Sequence, residues 1–403
     1  MNNKIKIVII GGGFGGVYTA RNLYKLFGNK ADITIINKLN YFLFTPLLHE
    51  VATGGLTPQS IIESLREIFR NTNIKSIEDT VNEINRENKT VKTDNAVYPY
   101  DYLVVSAGAE TNYFNIPGAQ ENSFTLKNLN DAISLRNHII ETFEKANQEN
   151  STDKLSFAIV GAGATGVELV TELSEYVKET LHSYYKNTSI KKSEINISII
   201  TNTPNVISFF PKEMYELAHQ ALIKKDINVI TNATVTKIEP GLISFADNTS
   251  LKAHTIIWVA GVKPSLSSIK GLEAGPKGRM EINKYLQNTK DEYIFGLGDI
   301  AGTLPMLAQI AVQQAKTVAN NIYAHNNKES LMIFQTNIKG LLISLGQLNA
   351  LGNFKGYTFS GPIMWFIWRT IYLFNFNSWK RRLEISIEWI VNLFYPRDIT
   401  YLK

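Results

Sequence analysis

Lys6-Ile-Val-Ile-Ile-Gly-Gly-Gly-Phe-Gly-Gly16 sets an apolar, mostly β-branched run, Ile7 to Ile10, directly against glycines at 11, 13 and 16. A run of this kind is covered on both faces, as in a parallel sheet. The glycines then turn the chain into a helix. Gly11 permits the tight turn, Gly13 lets a pyrophosphate approach the backbone, and Gly16 lets the helix pack close to the strand. The helix N-terminus meets the phosphates with N–H groups that have no partner inside the helix. One such pattern is also found in plain structural turns, but here it recurs. Leu155-Ser-Phe-Ala-Ile-Val-Gly-Ala-Gly-Ala-Thr-Gly-Val-Glu-Leu-Val-Thr-Glu-Leu173 repeats the spacing with Gly161, Gly163 and Gly166. Two copies point to two dinucleotide sites.

The composition narrows what such a chain does. At 403 residues it exceeds one ordinary core, so two or three domains are expected. An apolar share of 44% is that of a folded protein. The net charge of +5 suits an anionic membrane surface or plain solubility, and no feature points to nucleic acid. There is no cysteine, which excludes disulfides, thiolate metal sites, Cys-ligated iron–sulfur clusters and a redox dithiol. Electron transfer would therefore need a bound organic cofactor. Histidines at 49, 138, 182, 219, 254 and 325 are scattered, so no metal site is expected. The N-terminus enters a strand without the apolar segment of a signal peptide. No apolar run reaches the ~18 residues of a spanning helix. The expected place is the cytoplasm, or a membrane touched from that side.

Outward from the first glycine loop, 17–27 reads as a helix and 33–36 as a second strand ending at Asn37. Asn37 stands 21 residues after Gly16, about where a Rossmann site places the acid that meets the ribose hydroxyls. An amide stands there instead, and an ordinary strand end is the other reading. Segment 61–70 reads as helical, 81–104 as β-hairpins, and 128–150 as a helix followed by a linker. Tyr102-Leu-Val-Val-Ser-Ala-Gly-Ala109 is an apolar strand meeting a small-residue turn at Ala107 and Gly108, where backbone can approach a ligand. In the repeat, 195–200 is a strand ending at Thr201, and 253–261 closes on Gly261. Tyr293-Ile-Phe-Gly-Leu-Gly-Asp-Ile-Ala301 ends a strand in glycines with Asp299 at its tip. That carboxylate can accept from a sugar hydroxyl or cap the next helix. In that helix Gln309 and Gln313 lie four apart and share a face.

Two dinucleotide sites and the Gly296-Leu-Gly-Asp299 tip resemble the two-dinucleotide-binding-domain flavoprotein reductases. Within them, three motifs resemble type II NADH:quinone oxidoreductases, over nearly the whole chain. They are Phe44-Thr-Pro-Leu-Leu-His-Glu-Val-Ala-Thr-Gly54, Gly163-Ala-Thr-Gly-Val-Glu168 and Ala308-Gln-Ile-Ala-Val-Gln313. The resemblance implies an α/β fold of two Rossmann-like domains, the second inserted in the first, plus a C-terminal amphipathic helical membrane-anchoring region. It assigns 1–115 and 262–330 to FAD, 116–261 to NADH and 331–403 to the membrane-associating region. It places FAD at Gly11, Gly13, Gly16, Asn37, Pro46, Ala107, Gly108, Asp299 and Gln309. It places NADH at Gly161, Gly163, Gly166, Glu168, Thr201 and Gly261. It also makes Glu168, Gln309 and Gln313 catalytic, the first near the nicotinamide and flavin, the glutamines near the quinone or flavin. Other readings stay open: a first-turn acid favoured by the helix dipole for Glu168, and surface glutamines for 309 and 313. Disulfide reductases and sulfide:quinone reductases of the same superfamily need cysteines and are excluded on chemistry. Neither 37 nor 201 is acidic, and 201–211 holds no Lys or Arg, so NADH over NADPH rests on the resemblance, with weakened discrimination expected.

The tail, from Gly361, is strongly apolar and aromatic up to Asn375. Beyond it, Leu383, Ile387, Ile390, Val391 and Phe394 form a stripe at helical spacing, with Glu384, Glu388 and Asn392 elsewhere. Such a pattern suits an interfacial helix pair rather than a spanning one. A core or dimer helix is the alternative. Lys380 and Arg381 are candidates to contact quinone or lipid phosphate. The expected protein is a peripheral flavoenzyme on the cytoplasmic face of the inner (plasma) membrane. It would oxidise NADH through FAD and reduce membrane quinone without pumping protons, and the resemblance implies a homodimer. The alternatives are a soluble flavin reductase serving a ferredoxin-like carrier, and a non-catalytic flavoprotein binding module.

Overall fold

The computed structural model describes residues 4–185, 190–266, 269–302 and 304–401. In chain order, the elements that carry the site begin with β1 (Ile5–Ile10), α1 (Phe14–Phe27), β2 (Ala31–Asn37), α2 (Leu48–Ala52), β3 (Lys75–Glu78) and β4 (Tyr102–Val105). Next come β5 (Phe124–Thr125), α3 (Leu129–Glu149), β6 (Ser156–Val160), α4 (Ala164–Glu175), β7 (Asn196–Ile200), β8 (Asn228–Ile230) and β9 (Thr255–Trp258). The chain then forms β10 (Gln287–Asn288), β11 (Asp291–Gly296), α5 (Ala308–Asn326), β12 (Leu341–Ser344), β13 (Ala350–Phe354), β14 (Tyr357–Ser360), α6 (Pro362–Phe374) and α7 (Trp379–Phe394). It packs as two compact units: Met1–Leu43 with Ile62–Glu110 and Val262–Ile338, and Phe44–Ile61 with Thr111–Gly261 and Lys339–Lys403.

The first unit is built on a six-stranded sheet, β10-β11-β4-β1-β2-β3, parallel except for β10 at its edge. The continuous apolar runs have the cause foreseen, because β1 and β4 are central and covered on both faces. Val8, Ile10, Ile36, Leu103, Val105 and Ile294 meet in one buried cluster. A three-stranded antiparallel ribbon over 81–99 precedes β4.

The second unit repeats this plan. Its sheet runs β5-β9-β6-β7-β8, all parallel. A three-stranded antiparallel ribbon over 235–252 again precedes the strand, β9, that flanks the glycine-loop strand. The register is equivalent as well. Ile10 lies between Ile36 and Val105, and Val160 lies between Ile200 and Trp258. The segment holding this sheet is inserted between two stretches of the first unit. The second unit also holds the antiparallel sheet β12-β13-β14 and the two tail helices.

One expected element differs. The stretch 61–70 is not a single helix. Residues 58–61 form a 3-10 turn, Ile62–Ser64 pairs antiparallel with Tyr41–Leu43, and only Leu65–Ile68 is α-helical. Strand pairing to a distant segment overrides a local helical pattern there.

Candidate active site

Each unit ends its central strand in the same cradle. Gly11 has φ +100° and Gly161 φ +114°, which L side chains rarely adopt. Gly11 donates its N–H to Ile36 O and Gly161 to Ile200 O, both at 2.8 Å. A Cβ on Gly16 would lie 1.8 Å from Gly11 O, and one on Gly166 would lie 1.8 Å from Gly161 O. At Gly13 and Gly163 a Cβ would meet nothing within 4 Å, so the backbone there is open to a ligand. Both residues are helix N-caps without a side-chain cap. A glycine cap offers no side chain to the first N–H groups of either helix, which suits a pyrophosphate there.

In the first unit the small-residue turn lies against this loop. A Cβ on Gly11 would come 2.2 Å from Ser106 O and 3.2 Å from Ala107 Cα. Gly108 is left-handed at φ +74°. Asn37 uses its amide locally: Oδ1 accepts from Gly12 N–H at 2.8 Å, and Nδ2 donates to Leu39 O at 2.7 Å. Asp299 sits in a 3-10 turn, Gly298–Ile300, while α5 is capped at Leu307, so Asp299 does not cap that helix. Gly298 N–H donates to Gln314 Oε1 at 2.8 Å, which ties the Asp299 tip to α5. The buried Gln314 was not singled out in the sequence, where it follows Gln313 without a motif of its own. Gln313 is engaged at both ends of its amide by the peptide of Asn337, at 2.8 and 3.0 Å. Gln309 lies half-buried one turn earlier on α5. Pro46 falls in the second unit, in the turn Thr45–Leu47.

In the second unit the equivalence of Ile36 and Ile200 makes Thr201 the counterpart of Asn37. Its hydroxyl pairs with Thr203 Oγ1 at 2.7 Å and accepts from Thr203 N–H at 3.2 Å. Ile207 N–H binds Ala162 O at 2.7 Å, folding an uncharged loop over the glycines. Gly261 approaches Phe114, whose ring would lie 2.8 Å from an added Cβ.

Glu168 lies in the second turn of α4, whose first turn holds no acid, so the dipole reading does not apply to it. It is buried and accepts from Ser344 N–H at 3.1 Å through Oε1. Burial pushes its carboxyl up to about 8; the Ser344 N–H opposes this, and nearby Glu172 and Glu50 add to it. Around it is an ion-pair cluster that the sequence did not reveal. Arg397 binds Glu172 at 2.5 Å and Glu175 at 2.9 Å, Lys225 binds Glu175 at 2.5 Å, and Arg369 lies 3.7 Å from Glu50. The Arg369 guanidinium is sandwiched between Trp365 and Trp389, at 3.9 and 4.3 Å from their centroids. Trp389 Nε1 donates to Glu50 Oε2 at 2.7 Å. His49 is buried, and burial pulls it down to about 4, so it stays neutral near pH 7.

α7 turns Glu388 and Asn392 inward. Glu388 accepts from Thr57 N–H at 2.7 Å and from the Ser60 hydroxyl, and Asn392 donates to Gly55 O at 2.6 Å. The predicted stripe, Leu383, Ile387, Ile390, Val391 and Phe394, is the exposed face, joined on α6 by Ile363, Phe366 and Ile367. The core-helix reading of this stripe is therefore wrong. Lys380 and Arg381 both lie by Glu384, at 3.8 and 2.6 Å. Among the described residues no helix is long and apolar enough to cross a membrane.

Two matching glycine-loop cradles on two mainly parallel sheets, the segment holding the second sheet lying between two stretches of the first unit and the chain having no thiol, fit the class of two-nucleotide flavoprotein reductases. Residues 5–315 match the family described as pyridine nucleotide-disulphide oxidoreductase, and 338–398 match the NDH2 C-terminal domain. A type II NADH:quinone oxidoreductase of Haemophilus influenzae is 31% identical over 396 residues, 89% of this chain and 88% of that protein. A Dictyostelium discoideum protein named as a probable NADH dehydrogenase is 29% identical over 417 residues, 98% of this chain and 91% of its own. The structure of NDH2 from Plasmodium falciparum in complex with NADH shares the fold at a TM-score of 0.89, with 22% identity, 99% of this chain and 100% of that one. The chain belongs to the type II NADH:quinone oxidoreductase family.

Proposed function

We propose that the protein is a flavoenzyme that oxidises NADH through FAD and reduces a membrane quinone from the membrane surface. The observation that carries this reading is the duplicated cradle in a chain without cysteine. FAD, when bound, supplies the two-electron relay between nicotinamide and quinone. The residues fit it: the open backbone at Gly13 and the close turn at Gly11, Ala107 and Gly108 form a phosphate cradle, with Asp299 held beside α5 for a ribityl hydroxyl. Asn37 and Gln309 are further proposed FAD contacts in the first unit, and 1–115 with 262–330 is the proposed FAD domain. Gly161, Gly163, Gly166, Thr201 and Gly261, within 116–261, are proposed to hold NADH. The net reaction, NADH + H+ + quinone → NAD+ + quinol, takes one proton from solvent. Glu168 is proposed to hold that proton in a dry setting, with Gln309 and Gln313 near the quinone. The outward apolar face of α6 and α7, within 331–403, supports attachment to a membrane surface; the cytoplasmic face, and a homodimer through this region, are proposed with it.

The test is a spectrum of the purified protein, anaerobic addition of NADH, then addition of quinone. Bleaching by NADH and reoxidation by quinone are expected. Bleaching without quinone reoxidation would favour the soluble reductase, and no bleaching the binding module.

The loop 201–211, proposed to meet the ribose of the nicotinamide nucleotide, carries no acid to repel a 2′-phosphate and no cation to attract one. NADH is expected to be preferred only modestly. Thr201→Asp should raise the NADH/NADPH ratio of kcat/KM by on the order of tenfold, because an ionised acceptor binds a ribose hydroxyl more strongly and repels phosphate. Steady-state kinetics with both nucleotides check this, and a parent that clearly prefers NADPH would refute it.

A further inference from the structure

We propose that Arg369 and Arg397 are positioning residues for Glu168. By pairing with Glu50 and Glu172, they leave Glu168 as the one carboxyl of a charge-balanced cluster without a cation, so that the C-terminal tail sets the protonation state at the reducing site. This rests on the role proposed above for Glu168.

Four carboxyls lie together in the second unit: Glu50 on α2, and Glu168, Glu172 and Glu175 on α4. Three cations meet them: Arg369 from α6, Arg397 from the chain after α7, and Lys225. The pairs Arg369–Glu50, Arg397–Glu172 and Lys225–Glu175 use all three. Among the described residues no cation pairs with Glu168. The remaining groups near it add no positive charge. His49 on α2 is neutral; Tyr372 on α6 is half-buried, its hydroxyl pushed up by desolvation and by Glu168; β12 offers the Ser344 N–H. Burying a charge without a partner is costly, so the cluster is neutral only with a proton on Glu168.

Two of the three cations come from the tail. Arg397 and Arg369 are largely buried, with 11% and 12% of their side chains exposed. The chain end is fastened beside them, since Asp398 accepts from Arg136 at 2.5 Å and its carbonyl accepts from the Tyr176 hydroxyl at 3.1 Å. The tail is thus part of the electrostatics of the site. A neutral Glu168 can give a proton to a quinone oxygen and recover it from water, which balances the one proton the reaction consumes.

Glu168 is raised in the folded state from 4.5 to about 8, so between these values the folded protein keeps a proton that the unfolded chain has lost. Its contribution to stability falls as pH rises through that window, by up to about tenfold in the folding equilibrium per pH unit, and levels off above it. Quinone reduction should decline above the same upper value.

The experiment uses the full chain with FAD and reads two quantities across pH 5–9: quinone reduction at saturating NADH, and thermal unfolding. In Glu172→Gln, Arg397 loses a carboxylate and the cluster gains a net positive charge, so Glu168 ionises earlier. The high-pH limb of activity should move down by about one pH unit or more, and the stability decline should end correspondingly lower. The double variant E172Q/R397Q removes a neutral pair and should bring both features back toward the parent. Glu168→Gln should flatten its share of the unfolding profile. An unmoved limb and unfolding profile in E172Q, or a double variant farther from the parent than the single one, would overturn the proposal. If Glu168→Gln kept the parent's quinone activity and pH profile, the reducing role of Glu168 would fall. The unfolding data would then still judge the charge balance separately.

Discussion

Gly166→Val is expected to lower kcat/KM for NADH by more than about a hundredfold while leaving the flavin spectrum in place. The cause is local and steric. The first added carbon alone would lie 1.8 Å from Gly161 O, where no real Cβ is found. Either α4 must move off the loop or the loop must open, and both displace the N–H groups that would meet the pyrophosphate. A shift of about an ångström at such a site can itself cost about a hundredfold. Gly16→Val makes the same clash with Gly11 O in the other unit, so it should instead lose the flavin on purification. The pair assigns each cradle to its nucleotide. Absorbance of the purified proteins and titration of NADH binding check it. Loss of flavin from Gly166→Val with retention in Gly16→Val would reverse the assignment, and normal NADH kinetics in Gly166→Val would refute the second site.

The repeat was legible because it is written in local chemistry. Glycines at matched spacing after an apolar strand have few structural solutions, and the sheets confirm two of them in the same strand order. Asn37 and Thr201 were each read as the end of the second strand of their repeat, and the equivalent register of Ile36 and Ile200, with the matched hydrogen bonds of Gly11 and Gly161, bears this out. The stripe on α7 was legible for a similar reason, since helical period is a local property. What stayed hidden is long-range. Glu50, Glu172, Arg369 and Arg397 lie far apart in sequence, and each reads alone as a surface charge. Their meaning arises only when α2, α4, α6 and the chain end come together. The short strand Ile62–Ser64 was missed on the same ground, because its partner lies at Tyr41–Leu43.

Replacing Leu383, Ile387, Ile390 and Phe394 together by Gln is expected to release the protein from membranes while preserving flavin and activity toward a water-soluble quinone analogue. These side chains are between 51% and 77% exposed, so they contribute little to the fold. The inner face of α7, with Trp389 buried and Glu388 and Asn392 bound to the 55–60 loop, is untouched. At roughly 1 kcal/mol of lost apolar burial for each side chain, about 4 kcal/mol of membrane affinity would go, close to a thousandfold in partitioning. Vesicle co-sedimentation measures it, and a variant that still pelleted like the parent would refute the anchor. Deleting 361–403 would be a poorer test. It would also strip Arg369, Trp389 and Arg397 from Glu50 and Glu172 and leave those carboxylates without their partners. Uncompensated buried charge costs several kcal/mol, so a truncated protein could lose quinone reduction without any change in how it meets a membrane. The surface variant separates the two roles of the tail, because its outward face is apolar and its inward face carries the charge.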